Sequence, residues 1–236
     1  MFDLHSHILP GIDDGARSID ESAEMVKQMA AAGVTHIIAT PHYIVGTLQR
    51  SPRATNAILL EGLKSRLSAE GVRVNLYLGN EIYIDERIAG YLAEGKMATL
   101  AGGRYLLVEL PLSGEFMGYK DILAGLIGLG YKVILAHPER YVSVQKDLEV
   151  AVELSQMGVL LQGNLGSLFD KYGKQARKTL IELIKRKLIF GFGTDAHRVL
   201  RADFLDLAKK KLSKYYSEAE LQEVLISNPR RVLTNN

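Results

Sequence analysis

The chain has 236 residues, of which 47% are apolar and 24% are charged, which excludes a disordered or fibrous protein. Lysine and arginine (29) nearly balance aspartate and glutamate (27), so the net charge of +2 does not favour a nucleic-acid or membrane partner. The absence of cysteine excludes disulfides, thiolate zinc sites and cysteine-dependent phosphatase chemistry.

The N-terminal segment has no basic region followed by an apolar stretch, so it does not read as a signal peptide. No apolar run in the chain approaches the roughly 20 residues that a membrane-spanning helix requires. We therefore expect a cytoplasmic protein without membrane insertion and without a nucleic-acid partner.

Short apolar or β-branched runs alternate with longer amphipathic patterns along the whole chain. The predicted strands are 2–5, 34–39, 72–78, 105–110, 132–136, 159–162 and 188–193. The predicted helices are 18–32, 52–71, 121–129, 146–157, 175–186, 204–212 and 218–226, and Ser18-Ile-Asp-Glu21 reads as a capping box at the start of the first. Strands that alternate with helices in this way predict parallel strands joined by crossover helices, in one domain over residues 1–236.

Periodicity alone does not separate a closed barrel from an open, doubly wound sheet. Open nucleotide-binding sheets usually carry a glycine fingerprint after the first strand. Here the first strand runs into His5-Ser-His7, and the following Gly11-Ile-Asp-Asp-Gly15 loop matches neither the dinucleotide pattern nor a P-loop. These features favour a barrel.

Polar side chains follow the end of every predicted strand. The segments are His5-Ser-His7, Thr40-Pro-His42, Gly79-Asn-Glu81, Val108-Glu109-Leu-Pro111, Ala136-His137-Pro-Glu-Arg140, Gln162-Gly-Asn164 and Thr194-Asp195-Ala-His197. In a barrel these ends meet on one face, where active sites are built. Imidazoles and carboxylates without thiolates suit zinc, manganese or iron, so the joint pattern predicts a metal site there.

Taken singly, each of these residues has a simpler interpretation. A lone histidine at a strand end is usually a hydrogen-bonded loop residue, and a lone glutamate there is usually a cap or a solvated turn. His36, inside the second strand, is interpreted in that way, as a satisfied core or surface histidine. His5-x-His7 differs, because the period of two places both imidazoles on one side of a strand.

The number of candidate ligands predicts more than one ion. With Asp14 from the first loop, the candidates are His5, His7, Asp14, His42, Glu81, Glu109, His137, Asp195 and His197. One catalytic ion needs three or four protein ligands, so this set would serve two or three ions that share a carboxylate. Such clusters hydrolyse phosphate esters. Arg140 and Arg201, which follow His137 and His197 in the sequence, are candidate phosphate-binding residues because guanidinium binds phosphate bidentately.

The motifs resemble those of the polymerase-and-histidinol-phosphatase (PHP) superfamily, whose fold is a distorted, TIM-like (β/α)7 barrel with a trinuclear centre. The residues that carry this resemblance are His5-x-His7, Thr40-Pro-His42, Glu81, Ala136-His137-Pro-Glu-Arg140 and Thr194-Asp-Ala-His197. Further segments resemble the manganese-dependent bacterial tyrosine phosphatases of capsule and exopolysaccharide operons. These segments are Ile12-Asp-Asp-Gly15, Asn80-Glu-Ile-Tyr83, His137-Pro-Glu-Arg-Tyr141, Gly163-Asn-Leu-Gly-Ser-Leu168 and Asn228-Pro-Arg230.

The resemblance implies three metal sites, with Mn²⁺ as the expected ion and Fe, Zn or Mg as alternatives. His5, His7, Glu81 and Asp195 would hold the first ion; Glu81, Glu109 and His137 the second; Asp14, His42 and His197 the third. Arg140 and Arg201 would bind the phosphate. The implied partner is a bacterial tyrosine kinase with a tyrosine-rich C-terminal tail. Some members form rings, but the first helix, Glu24-Met-Val-Lys-Gln28, has no clear counterpart of the Arg-Arg pair those rings use, which leaves the oligomeric state open.

Three alternatives remain. One is a PHP phosphatase for a small phosphomonoester, such as histidinol phosphate or a nucleotide. Another is an amidohydrolase barrel, although the fourth strand offers Glu109 where that class typically has a modified lysine. The third is a binding module without activity, which the complete ligand set argues against.

Overall fold

A computed structural model gives the fold and describes residues 1–49, 51–113 and 118–234. The strands are β1 (Phe2–Ser6), β2 (His36–Ala39), β3 (His42–Tyr43), β4 (Asn75–Leu78), β5 (Glu81–Tyr83), β6 (Tyr105–Glu109), β7 (Lys132–Ala136), β8 (Leu160–Asn164) and β9 (Ile189–Gly193). All neighbouring strands run parallel, in the orders β1-β2-β4 and β3-β5-β6-β7-β8-β9.

These strands occupy seven positions, because two of the predicted strands, 34–39 and 72–78, each continue as a second short strand beyond their predicted ends. β3 continues β2 after Thr40-Pro41, and β5 continues β4 after Gly79-Asn80. Proline has no N–H to donate to a ladder, so the pairing stops at Pro41 and resumes beyond it. The displaced halves pair with each other in a register that sets His42 opposite Glu81.

The last strand closes onto the first. The backbone N–H of Asp195 donates to the carbonyl oxygen of His5 at 2.9 Å, and that of His7 donates to Ala196 at 3.0 Å. The buried Asp3 carboxylate adds a second link, because it accepts hydrogen bonds from the backbone N–H of Thr194 at 2.8 Å and from its hydroxyl at 2.6 Å. The closure confirms the predicted distorted barrel.

The helices are α1 (Ile19–Ala31), α2 (Arg53–Ala69), α3 (Ile88–Ala93), α4 (Tyr119–Gly128), α5 (Val142–Lys146), α6 (Glu149–Gln156), α7 (Lys174–Lys185), α8 (Phe204–Leu212), α9 (Glu218–Gln222) and α10 (Asn228–Thr234). Ser18 caps α1 as predicted, since its side chain accepts from the N–H of Glu21. The Glu21 carboxylate, however, accepts from the N–H of Arg17 rather than completing the box at Ser18.

Several predicted boundaries are wrong for local reasons. The predicted helix 146–157 begins later, at Glu149, because Asp147 has an extended backbone (φ −143°, ψ 110°) that separates α6 from the preceding α5. The predicted helix 218–226 ends at Gln222 and continues as a π-helical turn over Glu223–Ser227. Strands predicted from 34 and 72 begin later, since the N–H groups of Val34 and Val72 bond back to the preceding helices.

Two apolar layers support the barrel. Alternate strand residues such as Ile37, Leu106 and Val133 pack among the helices, in the larger buried cluster. The residues between them, such as Ile38 and Leu107, belong to a smaller cluster, made mostly of strand residues, that fills the barrel interior. Within the described ranges, no helix is both long and apolar enough to cross a membrane.

Candidate metal centre

The carboxyl ends of the strands bring the nine predicted ligands to one side of the barrel. Three groups have ligand atoms that all lie within 4.8 Å of one another: His7, Asp14, His42 and His197; His5, His7 and Glu81; and His42, Glu81 and Glu109. His137 and Asp195 join them through ion pairs with Glu81 and with the histidines of β1. A continuous cluster therefore forms from residues up to 192 positions apart in the chain.

Glu81 lies at the centre of this cluster and is 1% exposed. Its Oε2 lies 3.2 Å from His5 Nε2, 3.3 Å from His7 Nε2 and 3.0 Å from His42 Nδ1. Its Oε1 lies 2.9 Å from His137 Nε2. A carboxylate with its two oxygens facing different groups of imidazoles has the arrangement of a bridging ligand.

The two oxygens of Asp195 also face different partners. Oδ1 faces the histidines, at 3.5 Å from His5 Nε2 and 3.4 Å from His7 Nε2. Oδ2 accepts hydrogen bonds from Asn164 at 2.8 Å, from the Tyr172 hydroxyl at 3.0 Å and from Arg140 at 3.0 Å. The second oxygen is thus saturated by the protein, which leaves the first for a cation.

The chemistry of the donor atoms fits divalent metal ions. His5 donates its Nδ1–H to Gln162 Oε1 at 2.9 Å, and His7 donates its Nδ1–H to Asp13 Oδ2 at 2.8 Å. In their neutral forms both rings then present bare Nε2 lone pairs, and these two atoms lie only 3.1 Å apart. Lone pairs at that distance repel unless a proton or a metal ion lies between or beside them, and among metal ions the combination of imidazole with carboxylate suits Mn, Fe or Zn.

The carboxylates support the same conclusion. Burial and the negative charge of Glu81 raise the pKa of Glu109 to about 8. Glu109 Oε2 and His42 Nδ1 are buried, and neither makes a hydrogen bond of good geometry to a described residue, although His42 Nδ1 lies 3.0 Å from Glu81 Oε2. Buried like charges and buried polar atoms without a hydrogen bond both destabilise the folded protein, and a bound cation relieves both effects.

Asp13 and Gln162 orient the two histidines of β1, and sequence reasoning missed both roles. Although burial alone would raise the pKa of Asp13, its hydrogen bond with His7 lowers that pKa to about 2. The Asp13 carboxylate also accepts from the backbone N–H of Gly15 at 2.8 Å and of His42 at 3.2 Å. Only the carboxylate next to it, Asp14, was expected at the site, and the adjacent acidic pair was the available signal.

We expect Asp13→Asn to lower the affinity for metal ions about 10- to 100-fold, as is typical when the partner of a metal-binding histidine is removed. Asparagine has one acceptor oxygen in place of two and no negative charge, so it cannot accept from both His7 and the Gly15 N–H, and the His7 ring loses the charge-assisted hydrogen bond that directs its Nε2 lone pair towards the cluster. Titration of metal-free protein with Mn²⁺ measures the change. Asp20→Asn is the matched control, because the Asp20 side chain is 73% exposed and pairs with Arg66. Equal affinities in the two variants would contradict this role of Asp13.

Strained backbone accompanies two of the ligands. His137 has a φ of 36° and Asp195 a φ of 48°, which side-chain-bearing residues rarely adopt. Each such residue costs about 1–3 kcal/mol and persists where the surroundings enforce it, commonly at functional sites. Here both follow the ends of barrel strands and direct their side chains into the cluster.

A shallow cavity of about 460 Å³ opens beside the cluster, and we call it the mouth. It is lined by Asp14, Arg140, Lys171, Tyr172, Asp195, His197 and Arg198. The Arg140 guanidinium lies over the face of the Tyr172 ring, 4.2 Å from its centre, in a cation–π contact that holds it in place. Arg140 is therefore fixed where a group bound at the cluster can reach it.

The structure does not bring Arg201 to the mouth. Its side chain is 70% exposed, and its Nε pairs with Asp203 at 2.5 Å. Arg198, which the sequence prediction did not select, lines the mouth instead. Its guanidinium donates to the carbonyl oxygens of Asp14 at 2.8 Å and of Gly15, so it ties the first loop to the last strand end.

The structure places His36 away from the site and brings Tyr172 to it. His36 stacks on Phe2 with ring centroids 4.1 Å apart and pairs with Thr35, away from the nine ligands, as its simpler interpretation predicted. Tyr172 was not predicted at all. It lies in a loop, eight residues beyond Asn164, where no strand pattern marks it.

Comparisons with known proteins agree with this geometry. Residues 1–234 match the family model described as "Capsular polysaccharide synthesis, CpsB/CapC". The chain is 34% identical to CapC of Staphylococcus aureus and 31% identical to the tyrosine-protein phosphatase YwqE of Bacillus subtilis, in each case over 100% of this chain and 92% of the relative.

A solved structure matches as well. It comes from work on YwqE of Bacillus subtilis and CpsB of Streptococcus pneumoniae, described as unique metal-dependent tyrosine phosphatases. The TM-score is 0.91 at 30% identity, and the match covers 100% of this chain and 95% of the other. The nine-residue cluster thus lies in a barrel shared with that structure, and the chain belongs to the CpsB/CapC family of capsular polysaccharide synthesis.

Proposed function

We propose that this chain is a metal-dependent protein-tyrosine phosphatase. The observation that carries the proposal is the cluster of nine imidazole and carboxylate ligands around Glu81, with Arg140 fixed beside it in an open mouth. The names of the relatives, tyrosine-protein phosphatase, support the same reaction. The proposal treats residues 1–236 as one metallophosphatase domain.

The ligands divide among two or three ions, preferably Mn²⁺. His5, His7, Glu81 and Asp195 would hold the first, Glu81, Glu109 and His137 the second, and Asp14, His42 and His197 the third, with His7 close to this last group. Divalent ions at such sites supply Lewis-acid polarisation of a phosphoryl group and lower the pKa of water. Two features support this division. The two oxygens of Glu81 face different histidines, and Asp195 Oδ1 faces the histidines of β1.

The side chains of the mouth would bind and orient the substrate. Arg140 presents N–H groups to the phosphoryl oxygens, while Tyr172 and Asp195 keep its guanidinium in place. Arg201 is a second proposed phosphate-binding residue, which must leave Asp203 to reach the substrate. The partner would be a tyrosine-phosphorylated protein, such as a bacterial tyrosine kinase. The proposed location is the cytoplasm, where ATP-dependent kinases produce such substrates.

We expect phosphotyrosine to be hydrolysed at least tenfold faster than phosphoserine in otherwise identical peptides. The phenolic side chains near the mouth do not offer an obvious proton: the Tyr172 hydroxyl donates to Asp195, and burial raises its pKa further above the ordinary value. A phenol with a pKa of about 10 leaves more readily without protonation than an alkyl alcohol does. Phosphate release from the two peptides, measured as kcat/KM, tests this, and equal values would contradict it.

Two measurements test the proposed function as a whole. Metal analysis of the purified protein should find two or three divalent ions per chain, and a chelator should abolish the hydrolysis of phosphotyrosine. Turnover of phosphotyrosine, histidinol phosphate and mononucleotides under the same conditions separates the proposal from a small-molecule phosphatase. A higher kcat/KM for either small phosphomonoester would overturn the assignment to protein tyrosine phosphate.

A further inference from the structure

A second cleft lies between α7 and α8 and is strongly basic. We call it the α7–α8 cleft; its volume is about 240 Å³. Four of its seven lining residues are cationic: Arg177, Lys178, Lys211 and Lys214. No carboxylate is among the lining residues within 1–49, 51–113 and 118–234. A concave surface whose charged lining residues are all cationic attracts anions.

Most of this positive charge is not neutralised by the protein. Arg177 pairs with Asp170 at 3.1 Å. Lys178, Lys211 and Lys214 form no ion pair within the part of the chain that the structure describes. Lys211 instead lies 5.0 Å from the centre of the Phe169 ring. Clustered lysines without counter-charges repel one another, so their proximity is unfavourable unless an anion binds between them.

Helix α7 is basic at the end where helices favour acidic residues. Lys174 is its first residue, Arg177 and Lys178 follow within five positions, and the first turn contains no acidic side chain. Cations near a helix N-terminus oppose the macrodipole. The cap residue Gly173 also offers no side-chain hydrogen bond to the first turn. Helix stability therefore does not explain the lysines of α7.

Residues of one short segment, 168–171, line both the cleft and the mouth. Leu168 lines the cleft and Lys171 lines the mouth, and three residues of chain span at most about 10 Å. Asp170, the partner of Arg177, lies between them in the sequence. An extended peptide advances about 3.3 Å per residue, so a segment of roughly three to five residues joins the two sites.

We propose that the α7–α8 cleft binds a second phosphorylated residue of the same substrate chain whose phosphotyrosine occupies the mouth. The lysines and Arg177 would contact the phosphate, while Leu168 and Tyr215 form the less polar part of the lining. The proposal rests on the proposed phosphatase function and specifies its substrate as a multiply phosphorylated segment. Concavity and the shared segment 168–171 favour a peptide over a membrane surface as the occupant.

The test compares peptides with one phosphotyrosine, alone or with a non-hydrolysable phosphonomethyl-phenylalanine placed four residues before or after it. In one of the two placements we expect the second group to lower KM about fivefold without changing kcat, as exposed ionic contacts allow. Raising the salt concentration to about 0.5 M should remove the difference, because the contacts are exposed. Free phosphotyrosine measures activity that does not depend on the cleft.

Lys178→Ala/Lys214→Ala should abolish the KM advantage and leave the kinetics of free phosphotyrosine unchanged. Both lysines are exposed, so the variant is expected to fold. Lys185→Ala/Lys210→Ala is the matched control, because it also removes one charge from α7 and one from the α8 region, two residues before the end of α8, but outside the cleft lining, and it should keep the advantage.

The outcomes separate this proposal from the function on which it rests. Wild-type protein that hydrolyses free phosphotyrosine but gains nothing from either second group would overturn the cleft assignment alone. Failure to hydrolyse free phosphotyrosine would overturn the proposed function. If Lys178→Ala/Lys214→Ala keeps the KM advantage but loses binding to phosphatidylserine vesicles, the cleft binds membranes and the proposal is wrong.

Discussion

Replacement of Glu81 by alanine should lower kcat/KM by at least about three orders of magnitude, or roughly 4 kcal/mol of transition-state stabilisation. Glu81 contacts His5, His7, His42 and His137 through its two oxygens and is 1% exposed. The variant would lose the carboxylate that we propose to be shared between two ions and would leave several imidazoles facing one another. We expect at least one ion per chain to be lost together with the activity.

Parallel measurements of bound metal and steady-state kinetics check this prediction. Glu61→Ala is the matched control, since Glu61 is an exposed helical glutamate that pairs with Lys64. Thermal unfolding of the metal-free forms of both proteins shows whether the barrel persists without Glu81. A Glu81→Ala protein with full metal content and wild-type kcat/KM would refute the proposed centre.

Arg140→Ala should lower kcat/KM about 10- to 100-fold while the metal content stays unchanged. Losing one charge-assisted hydrogen bond to the phosphate costs about 1.5–3 kcal/mol. Guanidinium has no lone pair for a metal ion, and Asp195 Oδ2 keeps its hydrogen bonds from Asn164 and Tyr172 when Arg140 is removed. Arg140→Lys should restore only part of the activity, because an ammonium group lacks the planar pair of donors.

Arg201→Ala, measured alongside, should cause a smaller loss, of less than about tenfold, because the exposed Arg201 already pairs with Asp203. Inductively coupled plasma analysis of each variant reports the bound metal. Normal kcat/KM in Arg140→Ala would remove this residue from the substrate site. Loss of metal in that variant would instead show that its contact with Asp195 is structural.

Much of the fold could be predicted from the sequence because its signals are local. Apolar runs marked the strands, and the glycines at the ends of α1 and α2 separate them from the strands that follow. The two short continuation strands were harder to predict, since β3 and β5 contain only two and three residues. Segments that short carry no periodicity, and only pairing with each other and with β6 makes them strands.

The nine candidate ligands were likewise evident in the sequence. Each lies at or shortly beyond the carboxyl end of a strand region or in the first loop, and parallel barrel strands must place their carboxyl ends on one face. The types of donor atom alone were enough to indicate ions such as manganese, iron or zinc. By itself, the sequence therefore determined the barrel and the set of candidate ligands at the carboxyl ends of its strands.

Only the tertiary structure decided how these side chains are oriented. Asp13 rather than Asp14 accepts from His7, Arg198 rather than Arg201 lines the mouth, and Tyr172 supports Arg140 from another loop. Each of these contacts depends on distances between segments that are far apart in the chain, and the spacing of residues along the sequence does not predict those distances. Hydrogen bonds act over about 3 Å, so a shift of one residue in a loop decides which side chain makes them.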